Sequence, residues 1–392
     1  MPGTVTYDPL TRPSGYRSLH PDAGLNFQLN RWLAWMTPDA LGAVTDLATR
    51  IADYDDWTSE FLALGQRLRA DGRTLDAALC LRAADFFMLP DDPRRDVARR
   101  GFLGLIRRHY DVCPDSCFPV PYGTATLSGY TFGEPRRGTI LLHGGFDSYI
   151  EEFIPLLLAF ARAGYRAVGF DGPGQGSALE DEHLSITAEW NRPVGAVLDH
   201  LGLDEAALVG VSLGGCLAVR AAAMDRRISR VVAFDVLTDF LTCNLSHLPA
   251  ARRRALHALL ALRARPLVDF AARTTALRDL LVRWALTQGM RVTGTTTPYA
   301  YLRATRFFRT AGLSPQVGAD VLLLAGNDDH YVPRNQLRDQ LATLPNARSV
   351  TARIFTAAES GSAHCQVGNL GLAVQVILDW LDGLDRRGRA LT

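Results

Sequence analysis

No lysine occurs anywhere in the 392 residues; all 42 basic side chains are arginine. That excludes an internal Schiff base, a pyridoxal-type lysine and a P-loop lysine. Cysteine is scarce as well. Cys80, Cys113, Cys117, Cys216, Cys243 and Cys365 are scattered with no C-x-x-C pair. No disulfide framework is expected, and Cys113 and Cys117, which flank Pro114 in a turn-like stretch, read as free thiols. No grouping of His, Cys or carboxylates has metal-ligand spacing, so neither a metal nor a cofactor is expected. There is no run of about 18 apolar residues and hence no expected membrane span. Net charge is +1 with 21% charged residues, which favours neither nucleic acid nor a bilayer surface as partner. The first residues carry no basic-then-apolar leader, so a cytoplasmic location is the expectation.

What is present is an alternation. Residues 1–24 are rich in Pro, Gly and Ser and are expected to form a flexible arm. Residues 25–117 read as a helical domain, with Phe61, Leu64, Leu68, Leu75, Leu79 and neighbours at i, i+3, i+4 spacing. From residue 118 the period shortens. Tyr122 to Phe132 predicts a hairpin turning at Ser128-Gly129. Short apolar runs then alternate with helical patterns: Thr139–Leu142, Ala167–Phe170, Ala206–Val209, Val231–Phe234, Val321–Leu324 and Ser349–Phe355. This predicts an α/β fold, a mostly parallel sheet with helices on both faces. Residues 118–240 and 315–392 form the expected core. Residues 241–314 carry no good strand. They are far longer than the dozen or so residues a crossover requires, and predict a helical lid insertion.

The chemistry centres on Gly210-Val211-Ser212-Leu213-Gly214, after an apolar strand and before a helical stretch. In that context the glycines permit a sharp turn that holds the serine up at the strand end. Serine is a weak nucleophile and needs a neutral imidazole as base and a carboxylate to orient it. Asp329, in the frame G-x-x-D-x-x-V-P, is the expected acid, with Asp328 its rival; His364 is the expected base. Each follows a predicted strand, in the order Ser, Asp, His. An oxyanion hole needs two backbone N–H groups. Leu213 supplies one; Phe146, or else Gly145, supplies the other. His143 is expected to brace that loop, and Asp171 and Ser177 to pin a turn. Asp147, Glu152, Asp235 and Asp239 lie near strand ends and are candidate substrate-binding acids, although Glu151 and Glu152 equally suit a helix N-terminus.

These motifs resemble the α/β-hydrolase superfamily from about Tyr122 to Leu384. A narrower resemblance rests on His143-Gly144-Gly145-Phe146-Asp147-Ser148-Tyr149-Ile150-Glu151-Glu152 and on Gly361-Ser362-Ala363-His364-Cys365-Gln366-Val367-Gly368-Asn369. Arg82-Ala83-Ala84-Asp85-Phe86-Phe87-Met88 and Asp92-Pro93-Arg94 add to it. They are similar to the C–C bond hydrolases that include 2,6-dihydroxypseudooxynicotine hydrolase and the fungal polyketide-shortening pigment proteins. The resemblance implies cleavage of a C–C bond next to a carbonyl in a polyketide-like or aromatic ketone. It also implies that the N-terminal helices contribute to the substrate cavity. The segment from Phe240 to Ser314 is longer than that group's usual one. An esterase, thioesterase, acyltransferase or cyclase with the same triad is the alternative. The expected partner is a small hydrophobic or aromatic substrate, with Phe86, Phe87, Tyr299, Tyr301, Phe307 and Phe308 as candidate apolar contacts. A homodimer through the helical region is compatible with the pattern, without a residue that decides it.

Overall fold

The structure, a computed structural model, describes residues 7–390 of the chain, with side chains to residue 387. The first six residues of the expected arm therefore lie outside the described residues. Contacts divide the chain into two compact units, Met1–Pro114 with Val367–Leu372, and Asp115–Gln366 with Ala373–Thr392.

The first unit is helical: α1 (Ala23–Leu33), α2 (Ala40–Ala48), α3 (Tyr54–Ala70), α4 (Thr74–Phe87) and α5 (Arg95–His109). Its core is aromatic, with Trp32, Trp57, Phe61 and Phe102 fully buried. The end of the predicted flexible arm is pinned instead of loose. Asn30 Oδ1 accepts from Arg17 N at 2.7 Å and Asn26 Oδ1 from Leu19 N at 2.7 Å. Two asparagine side chains on α1 thus satisfy backbone groups that would otherwise face water, a capping role that no hydrophobic period reveals. Val367–Leu372, which runs into the first residues of the last helix (Leu370–Ala390), also belongs here, and Gly15 N donates to Gly368 O at 3.0 Å.

The second unit carries an eight-stranded sheet in the order β1-β2-β4-β3-β5-β6-β7-β8. The strands are β1 (Cys117–Tyr122), β2 (Ala125–Phe132), β3 (Thr139–His143), β4 (Arg166–Phe170), β5 (Ala206–Val211), β6 (Ile228–Phe234), β7 (Asp320–Gly326) and β8 (Ser349–Phe355). The β1–β2 and β2–β4 pairs are antiparallel and the rest parallel. Central β3 and β5 are buried at every residue, as helices on both faces require. Edge strand β8 is largely exposed and interleaves Ser349, Thr351 and Arg353, which blunts an open edge. The hairpin turns at Gly123, φ +62°, not at Ser128-Gly129. Gly129 lies inside β2, where a Cβ would meet the Phe118 ring at 2.5 Å, so it serves packing across the pair.

Helices α6 (Ile154–Arg162), α7 (Gly176–Glu180), α8 (Asn191–His200), α9 (Leu213–Ala222), α15 (Asn335–Leu341) and α16 (Leu370–Ala390) accompany the strands. Between β6 and β7 five helices follow one another: α10 (Phe240–Leu245), α11 (Ala250–Ala261), α12 (Arg265–Ala276), α13 (Leu280–Thr293) and α14 (Pro298–Thr305). Three open on side-chain caps, Asp239, Asp279 and Thr297, each accepting from the N–H three residues on. No single helix among the described residues is long and apolar enough to cross a membrane.

Candidate active site

Parallel strands β5, β6, β7 and β8 are consecutive neighbours in the sheet, so the loops beyond their C-terminal ends lie side by side. Residues far apart in sequence meet there. Ser212 directly follows β5 with φ +61° and ψ −125°. For a residue with a side chain this conformation costs on the order of 1–3 kcal/mol. The flanking glycines make the elbow feasible: a Cβ on Gly210 would sit 2.0 Å from Gly214 O. Ser212 stays half-buried at the start of α9, and its neighbours are buried.

Ser212 Oγ lies 2.8 Å from His364 Nε2, and His364 Nδ1 lies 2.6 Å from Asp329 Oδ2. Asp329 Oδ1 accepts from the Tyr331 and Val332 amides at 2.7 and 2.9 Å, which fixes the carboxylate. Asp328, the rival, is exposed and bonds the Asn327 side-chain amide at 3.0 Å. Burial pushes the Asp329 carboxyl up, but the charge and hydrogen bond of His364 and the two amides outweigh it, so it sits below the usual range. Burial likewise works against the His364 cation, and Asp329 overcomes it, so the imidazole is raised well above its ordinary value.

Asp235, directly after β6, is 1% exposed and lies 3.9 Å from His364 Nδ1. It faces the Asp329 side of the ring, opposite the edge that meets Ser212. Its Oδ2 accepts from Cys365 N at 3.3 Å and Gln366 Nε2 at 3.4 Å, while Oδ1 accepts from Val236 N at 2.9 Å. Cys365 and Gln366 both have positive φ, 50° and 52°. Asp235 thus braces the strained turn that presents His364. Burial, with the Asp329 charge next, pushes its carboxyl well above the usual range. Asp235→Asn, isosteric and uncharged, should reduce kcat/KM by less than about tenfold, whereas Asp235→Ala should lower stability by about 1–3 kcal/mol by stranding the Cys365 amide. Steady-state kinetics and thermal melts of both variants check this.

The loop after β3 closes over the elbow. A Cβ on Gly145 would lie 2.7 Å from Val211 O and 2.9 Å from Leu213 N. Gly145 N donates to Ser148 Oγ at 3.3 Å, so its N–H is engaged. The N–H groups of Phe146 and Leu213 make no hydrogen bond to the described chain. Gln175 Nε2 donates to Gly144 O at 2.6 Å and Gly145 O at 3.0 Å. His143 Nδ1 lies 2.9 Å from Gly144 O, and Trp190 Nε1 donates to His143 Nε2 at 3.1 Å. The indole therefore fixes the tautomer: Nε2 accepts and Nδ1–H donates. Burial pushes His143 down to about 4, so it stays neutral. Because its unfolded value is higher, this contribution to stability is complete above pH 6.5 and is lost as pH falls toward about 4. From the insertion, α13 reaches the same loop. Gln288 Nε2 donates to Phe146 O at 3.2 Å, and the Phe146 ring meets Trp284 and Phe240 edge-on at 6.0 and 5.1 Å. Gly145→Ala should lower kcat by about 10²–10³ with little change in KM, since the added methyl displaces the loop from Leu213 N. The kcat-against-KM split is the readout.

The model of the alpha/beta hydrolase fold family matches residues 139–356, just over half of the chain. The chain belongs to that family. Hydrolase acrC of Aspergillus aculeatus is 27% identical over 363 residues, covering 82% of this chain and 83% of its own. The 20-hydroxy-prefusarin hydrolase FUS2 of Gibberella moniliformis is 26% identical over 352 residues, covering 82% and 83%. Among solved structures, 2,6-dihydroxy-pseudo-oxynicotine hydrolase superposes with a TM-score of 0.62 at 19% identity, over 90% of this chain and 93% of that one. Family and relatives together make this chain a hydrolase.

The other acids expected in this hydrolase's pocket have local work. Glu152 Oε1 accepts from Tyr149 N at 3.0 Å and caps the turn that leads into α6. Glu151 Oε1 accepts from Tyr130 Oη at 2.5 Å. Asp239 caps α10. Asp147 is half-buried, in the loop after Phe146. Asp171 bridges Ile150 N at 2.9 Å and Ser177 N at 3.1 Å, as expected of a turn pin. The aromatic candidates separate: Phe86 packs edge-on against Trp32 within the helical unit, Tyr301 and Phe308 are buried, and Phe307 is 67% exposed. Gln175, Trp190 and Gln288, none of them singled out from sequence, hold the loop. A glutamine on a turn or on a helix face has no pattern that announces such a role.

Proposed function

We propose that this chain is a serine hydrolase in which Ser212 is nucleophile, His364 base and acid, and Asp329 the orienting carboxylate. The hydrogen-bond chain from Ser212 Oγ through His364 to Asp329, at 2.8 and 2.6 Å, carries the reading. Leu213 N–H and Phe146 N–H form the oxyanion hole, supported by the engagement of Gly145 N–H elsewhere. Helices α10–α14 act as a lid, supported by the contacts of Gln288 and Trp284 with Phe146.

The substrate is a polyketide-like or aromatic ketone, cleaved at a C–C bond next to a carbonyl. Extended similarity to a 20-hydroxy-prefusarin hydrolase and to 2,6-dihydroxy-pseudo-oxynicotine hydrolase supports this. Ser212 attacks the carbonyl as His364 takes its proton. The tetrahedral oxyanion collapses by breaking the C–C bond, and the electron pair leaves as an enolate. His364 returns the proton to carbon. Water, deprotonated by His364, then releases the acyl group as a carboxylic acid.

The place of Asp235 behind His364, and of Glu152 and Asp239 in caps, supports His364 as the proton donor to the leaving group. That observation also suits an ester or thioester hydrolase, or an acyltransferase, whose leaving group needs one proton donor. Mass spectrometry after brief incubation with 1,3-diketones, acylated phenols, thioesters and simple esters separates the readings. A methyl ketone or aryl fragment, with acyl mass on Ser212, is expected. Turnover of esters or thioesters with diketones untouched would overturn C–C cleavage.

A further inference from the structure

Outside the Ser212 site, four arginines, Arg220, Arg303, Arg306 and Arg309, line one cavity of about 490 Å³ together with Phe307, Gly312 and Leu313. No carboxylate belongs to that lining, and none of the four guanidinium groups makes an ion pair among the described residues. Elsewhere arginines do share a carboxylate, as where Arg137 and Arg230 meet at Asp385.

Two of the four, Arg220 and Arg303, are held by contacts that leave their charge in place. Arg220, on α9, donates through Nε to Ala188 O at 2.8 Å and through Nη1 to Arg309 O. Both acceptors are carbonyls and remove no charge. Burial pulls the Arg220 pKa down and the like charge of Arg309 adds to this. Glu189, which acts on Arg220 from further off, is itself paired with Arg192 at 2.9 Å. Arg303 Nη1 reaches only the Tyr299 hydroxyl, at 3.5 Å. Arg303 and Arg306 sit at the C-terminal end of α14, where the helix dipole favours a cation. That accounts for two of the four. It does not account for their convergence with Arg220 and Arg309 on one concavity, which repulsion alone would disperse.

We propose that this cavity is a binding site for an organic diphosphate. Planar guanidinium forks chelate phosphate oxygens bidentately, and four of them match two or more negative charges. The concavity is open to solvent and, at about 490 Å³, exceeds what a single inorganic anion fills. Phe307, 67% exposed, gives the organic part an apolar face. The site is independent of the reaction assigned to Ser212.

Calorimetric titration of the full chain with ADP, pyrophosphate and adenosine tests it. ADP and pyrophosphate should bind, compete with each other, and weaken as salt is raised. Adenosine should not bind. The double variant Arg303→Ala/Arg306→Ala removes two exposed side chains, should melt as the wild type does, and should weaken both phosphates by about tenfold or more. No binding of either phosphate, equal binding of adenosine, or unchanged affinity in the variant would overturn the proposal.

Discussion

Ser212→Ala should lower kcat by about five to six orders of magnitude on any substrate the enzyme turns over. The geometry explains the size. His364 Nε2 lies 2.8 Å from the Ser212 hydroxyl, and the elbow holds that oxygen between the start of α9 at Leu213 and the loop after β3 that carries Phe146. Without the hydroxyl, an imidazole and an oxyanion hole remain, and water must attack without a covalent stage. Alanine at φ +61° inherits the same backbone strain, so the melting temperature should scarcely move. An acyl or phosphonate adduct should appear on wild-type protein and vanish from the variant in intact-mass spectra. Retention of more than about one per cent of wild-type kcat would remove Ser212 from the nucleophile's role.

The elbow was legible because its signal is local. Gly210 is required by a contact within five residues of chain, a Cβ there meeting Gly214 O, and strand and helix on either side have their own periods; Gly214 is required by the approach of Gly144 O from the loop after β3. Asp329 and His364 were legible for a related reason: each follows a short apolar run, and parallel strands deliver their ends to one edge. What local pattern could not carry was long-range support. Gln288 reaches Phe146 across 142 residues, and Asp235 meets Cys365 across 130. A single polar residue on a helix or loop reads the same whether it faces water or a buried carbonyl. Asp235 and Glu152 show the converse. Their position after a strand or near a loop suggests a ligand pocket, while their hydrogen bonds go to neighbouring chain: Glu152 to the Tyr149 amide, Asp235 to the Val236 and Cys365 amides and the Gln366 side chain. The hairpin turn was misplaced because Ser128-Gly129 has turn composition, but Gly123 has the turn conformation.

Asp329→Asn should reduce kcat by about 10⁴, while Asp328→Asn should remain close to wild type. The asparagine amide can present an N–H to His364 Nδ1, which favours the tautomer with its proton on Nε2, the wrong end for accepting from Ser212. The pH profile gives an independent readout. In the wild type Asp329 raises the His364 pKa above its ordinary 6.5, and catalysis requires the neutral ring. Activity should therefore be full above that raised value and lost as pH falls through it. Removing the carboxylate leaves burial dominant, so the residual activity of Asp329→Asn should carry an acid limb at lower pH. Stability runs the other way. A raised His364 contributes stability that is complete below 6.5 and lost as pH rises through its folded value, and a depressed Asp329 contributes above 3.8 and loses it on acidification. The ion pair is strongest, then, where the enzyme is idle, and the working enzyme forgoes part of it. A second carboxyl, that of Asp235, lies 3.9 Å from the same nitrogen. If it ionises once Asp329 is gone, Asp329→Asn falls short of the full loss and the acid limb stays in place, and the Asp235→Asn/Asp329→Asn double variant then falls by the remainder. If the single variant already loses the whole amount, Asp235 braces the loop and does nothing more.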